Sequence, residues 1–406
     1  AVLTEYHRSS TNKASPTVFP VSQGVRAYDF KTVNNFGPTR PKMCAFMSPL
    51  LHKAYVPVPN KASEEQCVKG RINALKKDEP QLNGFVSTCL REFTSFVVSD
   101  ACLQPVDYDY VFNKQCTATQ RRSLVNADAT GFFLKHVLKC FLKAEAYIGI
   151  KDPRNISTYN DASKLDMSKF TLSLAQHCKQ FSWYGPGKTP KEIAHRVSEI
   201  CSNALFVDVS DYHRMDGTIT YLLRQVERMI LMSAFKDHRT CLNELLKTNA
   251  GNPGYLPLGT TFEQDSSHGS GCAGTSLFQT LRATFTSYLA YRHSINPATS
   301  NPYSPSEAFN SLGIHVGDDG LDANLPIPSH IWAAKKVGLI LEGYTIPRGE
   351  RGVTFLARYY SPNVWFGCPD SMCDPARQLS KFHLTIGLPE HVSQASKLFE
   401  KSMSYA

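Results

Sequence analysis

The most telling segment of the sequence is Leu312-Gly-Ile-His-Val316, Gly317-Asp318-Asp319, Gly320-Leu-Asp-Ala323. It places two short apolar runs on either side of an acidic bend, and so predicts a β-hairpin. Gly and Asp are ordinary turn formers, and alone the bend could be a solvated loop. The runs beside it look buried, however. Two adjacent carboxylates then sit at the end of a core strand, which is costly unless a cation compensates them.

A second carboxylate block lies upstream. Asp211-Tyr-His-Arg-Met-Asp216 follows the apolar run Ala-Leu-Phe-Val-Asp-Val-Ser that ends at Ser210. This puts Asp211 at a strand end and Asp216 in the loop opening the next helix. Two-metal phosphoryl transfer needs carboxylates from separate strands around two shared divalent ions, and Asp211, Asp318 and Asp319 supply such a set. Asp208, earlier on the strand, is expected to flank the site. A third block, Ser270-Gly271-Cys-Ala-Gly-Thr275 followed by Gln279-Thr280, reads as a flexible loop feeding a helix. Thr275 and Gln279 are four apart and share a helix face that could meet a ribose hydroxyl.

In this order the three blocks resemble motifs A, B and C of the RNA-dependent RNA polymerases of positive-strand RNA viruses. Lys143-Ala-Glu145 with Lys151-Asp-Pro-Arg154 resembles motif F, residues 335–351 motif D, and Val353-Thr-Phe-Leu-Ala-Arg358 motif E. The wording DYHRMDG, GDDGL and KAEAY…KDPR is most similar to the nodavirus replicase, in its polymerase portion. The chain departs from the family in two places: Gln279 stands where Asn is usual, and no Lys occupies the general-acid place of motif D, where Arg348 and Arg351 are the nearest basic residues.

The resemblance implies an α+β right-hand fold with an antiparallel palm sheet. An N-terminal arm and fingers would occupy 1–200 (motif F near 139–158), the palm 201–360, and a short or incomplete thumb 361–406. It implies RNA-directed RNA synthesis, in which a nucleotide is transferred from an NTP to an RNA 3′-hydroxyl for viral genome replication and transcription. Asp211, Asp318 and Asp319 would be catalytic and would hold Mg²⁺, with Mn²⁺ as a substitute. Lys143, Lys151 and Arg154 would neutralise the triphosphate. Asp216, Ser270, Thr275 and Gln279 would sense the ribose, while Gly271 and Arg358 would touch RNA. The implied partners are RNA template and product, NTPs, the rest of a larger replicase polypeptide, and further copies of the chain. The implied place is the host cytoplasm, at an organelle-membrane replication complex reached through a region outside this chain.

Bulk properties agree without deciding the matter. The 406 residues carry a formal charge of +9, which favours a polyanionic partner. The twelve cysteines lack paired CxxC spacing and read as reduced thiols. No apolar run approaches the length of a membrane span, and the chain begins without Met, as expected of an excised piece. Helices are expected over 63–77, 83–98, 218–235, 273–291 and 331–341, with one more capped by Thr189-Pro190-Lys191-Glu192 and a strand over 353–360. Three rival readings are a reverse-transcriptase-like polymerase, a P-loop NTPase using Gly185–Thr189, and a non-catalytic RNA-binding scaffold. The P-loop reading requires a Gly where Ser182 stands.

Overall fold

The computed structural model describes residues 16–404, apart from 23, 31, 33, 52–53, 76–78, 100 and 131–135. The first fifteen residues of the expected arm, and Lys76 and Lys77 of the expected 63–77 helix, lie outside the described residues.

The centre of this α+β molecule is an antiparallel sheet of four strands, in the order Ile314–Val316, Asp319–Ala323, Phe206–Tyr212, Leu341–Pro347. Side chains alternate across a strand, so Phe206–Tyr212 sorts its residues between two faces. Val207 and Val209 pack with Leu321 and Ile346 against the Pro190–Ser202 helix, Val353 and Trp365. Asp211 is the next residue on that face. Asp208 and Tyr212 point the other way, toward the Ile327–Val337 helix. There Asp208 Oδ2 is 2.6 Å from His330 Nδ1, and the Tyr212 hydroxyl is 2.9 Å from His330 Nε2. Asp208 therefore does not flank the acidic turn as expected. It is fully buried on the opposite face, because a residue three positions from Asp211 on a strand must point away from it.

Several expected element ends shift, each for a local reason. The first helix runs over Lys61–Val68 from an Asn60 cap and loosens into a π-turn at Lys69–Asn73. The expected 218–235 helix starts at Tyr221, because Thr220 is its N-cap and a separate turn, Met215–Thr218, precedes it. The expected 331–341 helix is Ile327–Val337. Gly338 at φ 84° ends it in the left-handed C-cap conformation, and Leu341 already belongs to a strand. The expected strand over 353–360 is a hairpin, Val353–Phe355 and Arg358–Tyr360, turned by Leu356 and Ala357 at φ 50° and 58°. The helices Gly84–Val98 and Thr275–Arg292 follow the reading closely.

Gly185–Thr189 is helix-start punctuation. Gly185 N donates to His315 O at 3.0 Å, and a side chain at Gly185 would run into Val316. Thr189 and Glu192 form a reciprocal capping box, with Thr189 N donating to Glu192 Oε2 at 2.6 Å.

A second four-stranded sheet has the order Asn155–Thr158, Leu138–Leu142, Pro253–Tyr255, Thr261–Glu263. Near the start of the described chain, Thr17–Ser22, Val25–Asp29 and Ala54–Pro57 form a smaller sheet. The last strand, Leu384–Thr385, pairs with Cys44–Ala45, so the final segment is tied back to the first. All twelve cysteines are free. No described helix is long and apolar enough to cross a membrane.

Candidate active site

The acidic turn is a two-residue hairpin loop in which Val316 pairs with Asp319 and Gly317-Asp318 make the bend. Gly317 adopts φ 66°, while Asp318 does not need a positive φ. A hairpin loop with the left-handed residue first is the type II′ pattern, which glycine adopts without strain. The Gly317 amide donates to Thr280 Oγ1 at 2.8 Å, so the Thr275–Arg292 helix holds the turn from behind. Asp318 stands at the tip, and Asp319 opens the return strand.

The register Gly320–Ser210 brings Asp319 beside Asp211 one step further along. On its other side Asp211 faces Glu342. Asp211 Oδ1 accepts from the Tyr212 amide at 2.7 Å. Burial, then the neighbouring Asp318 charge, raises the Asp211 carboxyl above its usual range. The same two causes, with Asp211 adding to them, push Asp319 up to about 6. The three carboxylates thus repel one another at the end of a core strand. Carboxylate oxygens are hard donors of the kind Mg²⁺ and Mn²⁺ take, and a bound cation would relieve the repulsion, although among the described residues no three such side chains are drawn together closely enough to hold a metal as they stand.

Asp216 sits on the short Met215–Thr218 turn, which is entered through Arg214 at φ 48°. Its Oδ1 accepts from Gln279 Nε2 at 2.5 Å, and its carbonyl accepts from the His268 amide at 2.8 Å. Burial raises its carboxyl, the Gln279 hydrogen bond opposes that shift, and Asp318 adds to it. Gln279 and Thr280 are consecutive. One helix turn therefore holds the Asp216 carboxylate and the Gly317 bend together.

The Ser270–Thr275 loop is stitched to the second sheet. Ser157 N donates to Ser270 Oγ at 3.2 Å, and Gly271 bridges to Thr158. A Cβ at Gly271 would lie 2.1 Å from the Ser157 carbonyl oxygen, so glycine is required here for a close backbone approach. The Thr275 hydroxyl is engaged inside the loop, with Ser270 O at 3.2 Å and Cys272 O at 3.0 Å. It does not line the neighbouring cavity.

That cavity, of about 450 Å³, is lined by Asp216, Asp318, Ser270 and Arg154 among the expected residues. It is also lined by Arg71 and Arg214, which the sequence reading passed over. Both arginines gather on Asp152. Arg71 Nε and Nη2 donate to its carbonyl at 3.3 and 3.1 Å, and Arg214 Nη2 pairs with its carboxylate at 3.2 Å. Gln66 Nε2 holds the other carboxylate oxygen at 2.8 Å. The only sequence signal for Arg214 was its place between Asp211 and Asp216.

Of the expected residues, Asp211, Asp319, Gln279, Gly271 and Thr275 stand outside the lining, and so do Lys143, Lys151 and Arg358. Lys143 and Arg154 share Glu145 at 3.6 and 3.7 Å, but of the two only Arg154 reaches the cavity. Lys151 is exposed, and its carbonyl accepts from the Tyr28 hydroxyl at 2.7 Å. The Arg358 guanidinium is committed to Ser371, with Nε to Oγ at 2.9 Å and Nη2 to the carbonyl at 3.0 Å. Of the motif D arginines, Arg348 binds the carbonyls of Cys201, Ser202 and Ala204 and so caps the end of the Pro190–Ser202 helix. Arg351 lies over the Tyr344 ring.

Comparison with known proteins follows the same lines. The chain is 30% identical over 348 residues to the RNA-directed RNA polymerase of Atlantic halibut nervous necrosis virus, an alignment covering 83% of the chain and 34% of that protein. The same figures hold for the striped jack nervous necrosis virus polymerase. Identity to the Pariacoto virus polymerase is 31% over 304 residues, 72% of the chain and 30% of that protein. The chain thus spans about a third of the length of these curated relatives. No protein-family model matches it. Among solved structures, the RNA-dependent RNA polymerase of a human picorbirnavirus superposes with a TM-score of 0.63 at 12% identity, covering 84% of this chain and 69% of that one. Its insertion-loop deletion mutant superposes with a TM-score of 0.65, at the same identity, covering 71% of that chain. The fold is the right hand of the viral polymerases.

Proposed function

Because this chain is a relative of the nodavirus RNA-directed RNA polymerases and has a right-hand polymerase fold, we propose that it performs template-directed RNA synthesis, joining an NTP to an RNA 3′-hydroxyl. The observation that carries this is the convergence of Asp211, Asp318 and Asp319 at the end of the central sheet, where Asp318 opens onto a cavity also lined by Asp216, Ser270 and Arg154. Asp211, Asp318 and Asp319 would hold Mg²⁺. The metal, when bound, would assist attack by the 3′-hydroxyl and neutralise charge on the phosphates.

The protein's own residues do the rest. Arg154, and with it Arg71 and Arg214, would face the triphosphate in the cavity that Asp318 also lines, where a polyanion needs cations. Lys143 and Lys151 would contribute from the rim through longer-range attraction. Asp216 would accept the hydrogen bond of a ribose hydroxyl, with Gln279 holding it and Ser270 beside it, while Thr275 and Gly271 shape the loop that carries Ser270. Arg358 would act near the primer end by stiffening its hairpin.

In this reading the fingers occupy 1–200, the palm 201–360 and the start of the thumb 361–406. The pairing of Leu384–Thr385 with Cys44–Ala45 then ties thumb to arm. The chain would work as part of a longer replicase polypeptide, as a homo-oligomer, in the host cytoplasm at an organelle membrane.

The test is incorporation of labelled NTPs by the purified chain on an RNA template with Mg²⁺. Absence of templated product, or equal use of dNTPs, would sink the reading.

Two expectations arise here. Asp319 titrates at about 6, so it takes up a proton as the pH falls through that value, and a protonated carboxyl is a poor ligand. Mn²⁺ affinity, followed by calorimetry from pH 7.5 to 5, should therefore weaken by up to about tenfold per pH unit below 6. A flat profile would remove Asp319 from the ligand set. Gln279→Ala removes the donor to Asp216 and should lower the preference for NTP over dNTP, as a ratio of kcat/KM, by about tenfold or more. An unchanged ratio would remove Gln279 from the sensor.

A further inference from the structure

Behind the Asp216–Gln279 pair lies a buried charged network. Arg282 follows Gln279 by three residues on the same helix and is fully buried, as is Glu227 on the Tyr221–Ala234 helix. Arg282 Nη1 donates to Gln279 Oε1 at 3.0 Å, and its Nη2 pairs with Glu227 Oε2. Arg224 Nη1 holds the other oxygen of Glu227 at 3.2 Å. A buried ion pair is commonly no more stabilising than well-packed apolar side chains, so stability alone does not account for one placed directly behind this carboxylate.

We propose that Arg282, held by Glu227, is a positioning residue for sugar selection, fixing the Gln279 amide so that its NH₂ faces Asp216. The proposal rests on the polymerase reading above. Guanidinium has five donors and no acceptor, so only the oxygen of Gln279 can face Arg282. The nitrogen is thereby turned to Asp216 Oδ1, at 2.5 Å. Glutamine carries one more rotatable bond than the asparagine usual in the family, and Arg282 immobilises that extra torsion. Asp216 lines the cavity with Oδ1 already served and offers its remaining acceptor capacity to a ribose hydroxyl. A deoxyribonucleotide leaves that half-buried carboxylate short of a donor, and a site built around a substrate hydroxyl discriminates strongly against its absence.

The test is single-nucleotide incorporation with NTP and dNTP by the full chain carrying Arg282→Met or Arg282→Lys. Arg282→Met leaves Glu227 paired with Arg224. It is expected to lower the NTP-to-dNTP ratio of kcat/KM by about tenfold, with the loss falling on the NTP and mainly on its KM. Arg282→Lys keeps the charge but replaces the fork with a point donor, and its ratio should fall between the two. A general packing defect would instead lower both sugars equally. Equal loss, or an unchanged ratio in a variant with native circular dichroism, overturns the proposal. If Arg282→Met does not fold, Arg282→Lys decides alone, and a wild-type ratio there overturns it. The polymerase reading is judged separately: it fails if the wild-type chain makes no RNA, whereas the positioning role alone fails if wild type discriminates and the folded variants discriminate equally.

Discussion

Asp318→Ala is expected to reduce nucleotide incorporation on the order of a thousandfold or more while leaving the protein as stable as before, or slightly more stable. The bend does not depend on the Asp318 side chain. Gly317 supplies the left-handed residue, and its amide is held by Thr280 Oγ1 at 2.8 Å. The Asp318 charge does act on its neighbours, since it raises the carboxyls of Asp211, Asp216 and Asp319. Without metal, removing it relieves repulsion among crowded, partly exposed carboxylates and lets them fall back toward their ordinary range. With metal, the site loses a ligand that Asp211 and Asp319 cannot replace from their strand positions. The two readouts should therefore diverge, with activity lost and the thermal midpoint in EDTA unchanged or raised. Undiminished synthesis would sink the metal assignment. Loss of activity accompanied by unfolding would instead make Asp318 a structural residue.

How far the site could be read in advance depended on whether its parts were local. The acidic hairpin was legible because a two-residue turn, its glycine and its flanking apolar runs all lie within a dozen residues. The order of the Asp211, Ser270 and Gly317 blocks was legible too, since each carries its chemistry in a few adjacent letters. Arg71 and Arg214 were not. Nothing in their own neighbourhoods says that a π-turn and a left-handed residue aim them at one cavity above Asp152. Thr275 was read as facing substrate because helix spacing aligns it with Gln279, yet spacing cannot say that its hydroxyl is already engaged by the Ser270 and Cys272 carbonyls. The turn at Leu356-Ala357 was hidden for another reason: both residues take positive φ without being Gly or Asn, so the sequence carries no turn signal there. Asp208 was a different kind of miss. Strand alternation already assigned it to the face away from Asp211, and period two should have outweighed its nearness in sequence.

Glu227→Ala should destabilise the protein by about 3–5 kcal/mol, measured by urea unfolding. Glu227 is 1% exposed and accepts from two arginines on two helices, Arg224 at 3.2 Å and Arg282. Arginine cannot shed its proton to escape burial, so losing the carboxylate leaves positive charge inside the protein. The cost is not shared evenly. Arg224 keeps the carbonyls of Ser266, Asn249 and Ser267 at 3.0, 2.9 and 2.7 Å. Arg282 keeps Gln279 Oε1 at 3.0 Å and the Phe278 ring at 5.9 Å, which is little for a guanidinium that is 0% exposed. The penalty should therefore reside mainly in Arg282. Glu227→Met combined with Arg282→Met is expected to recover most of the loss, giving a coupling energy of about 2–3 kcal/mol in a double-mutant cycle. A loss below about 1 kcal/mol for Glu227→Ala would mean that water or another group already compensates the arginines. If the double variant regains stability without regaining discrimination between NTP and dNTP, the buried charge is retained for what it does to Gln279, because the fold is served equally well by two methionines.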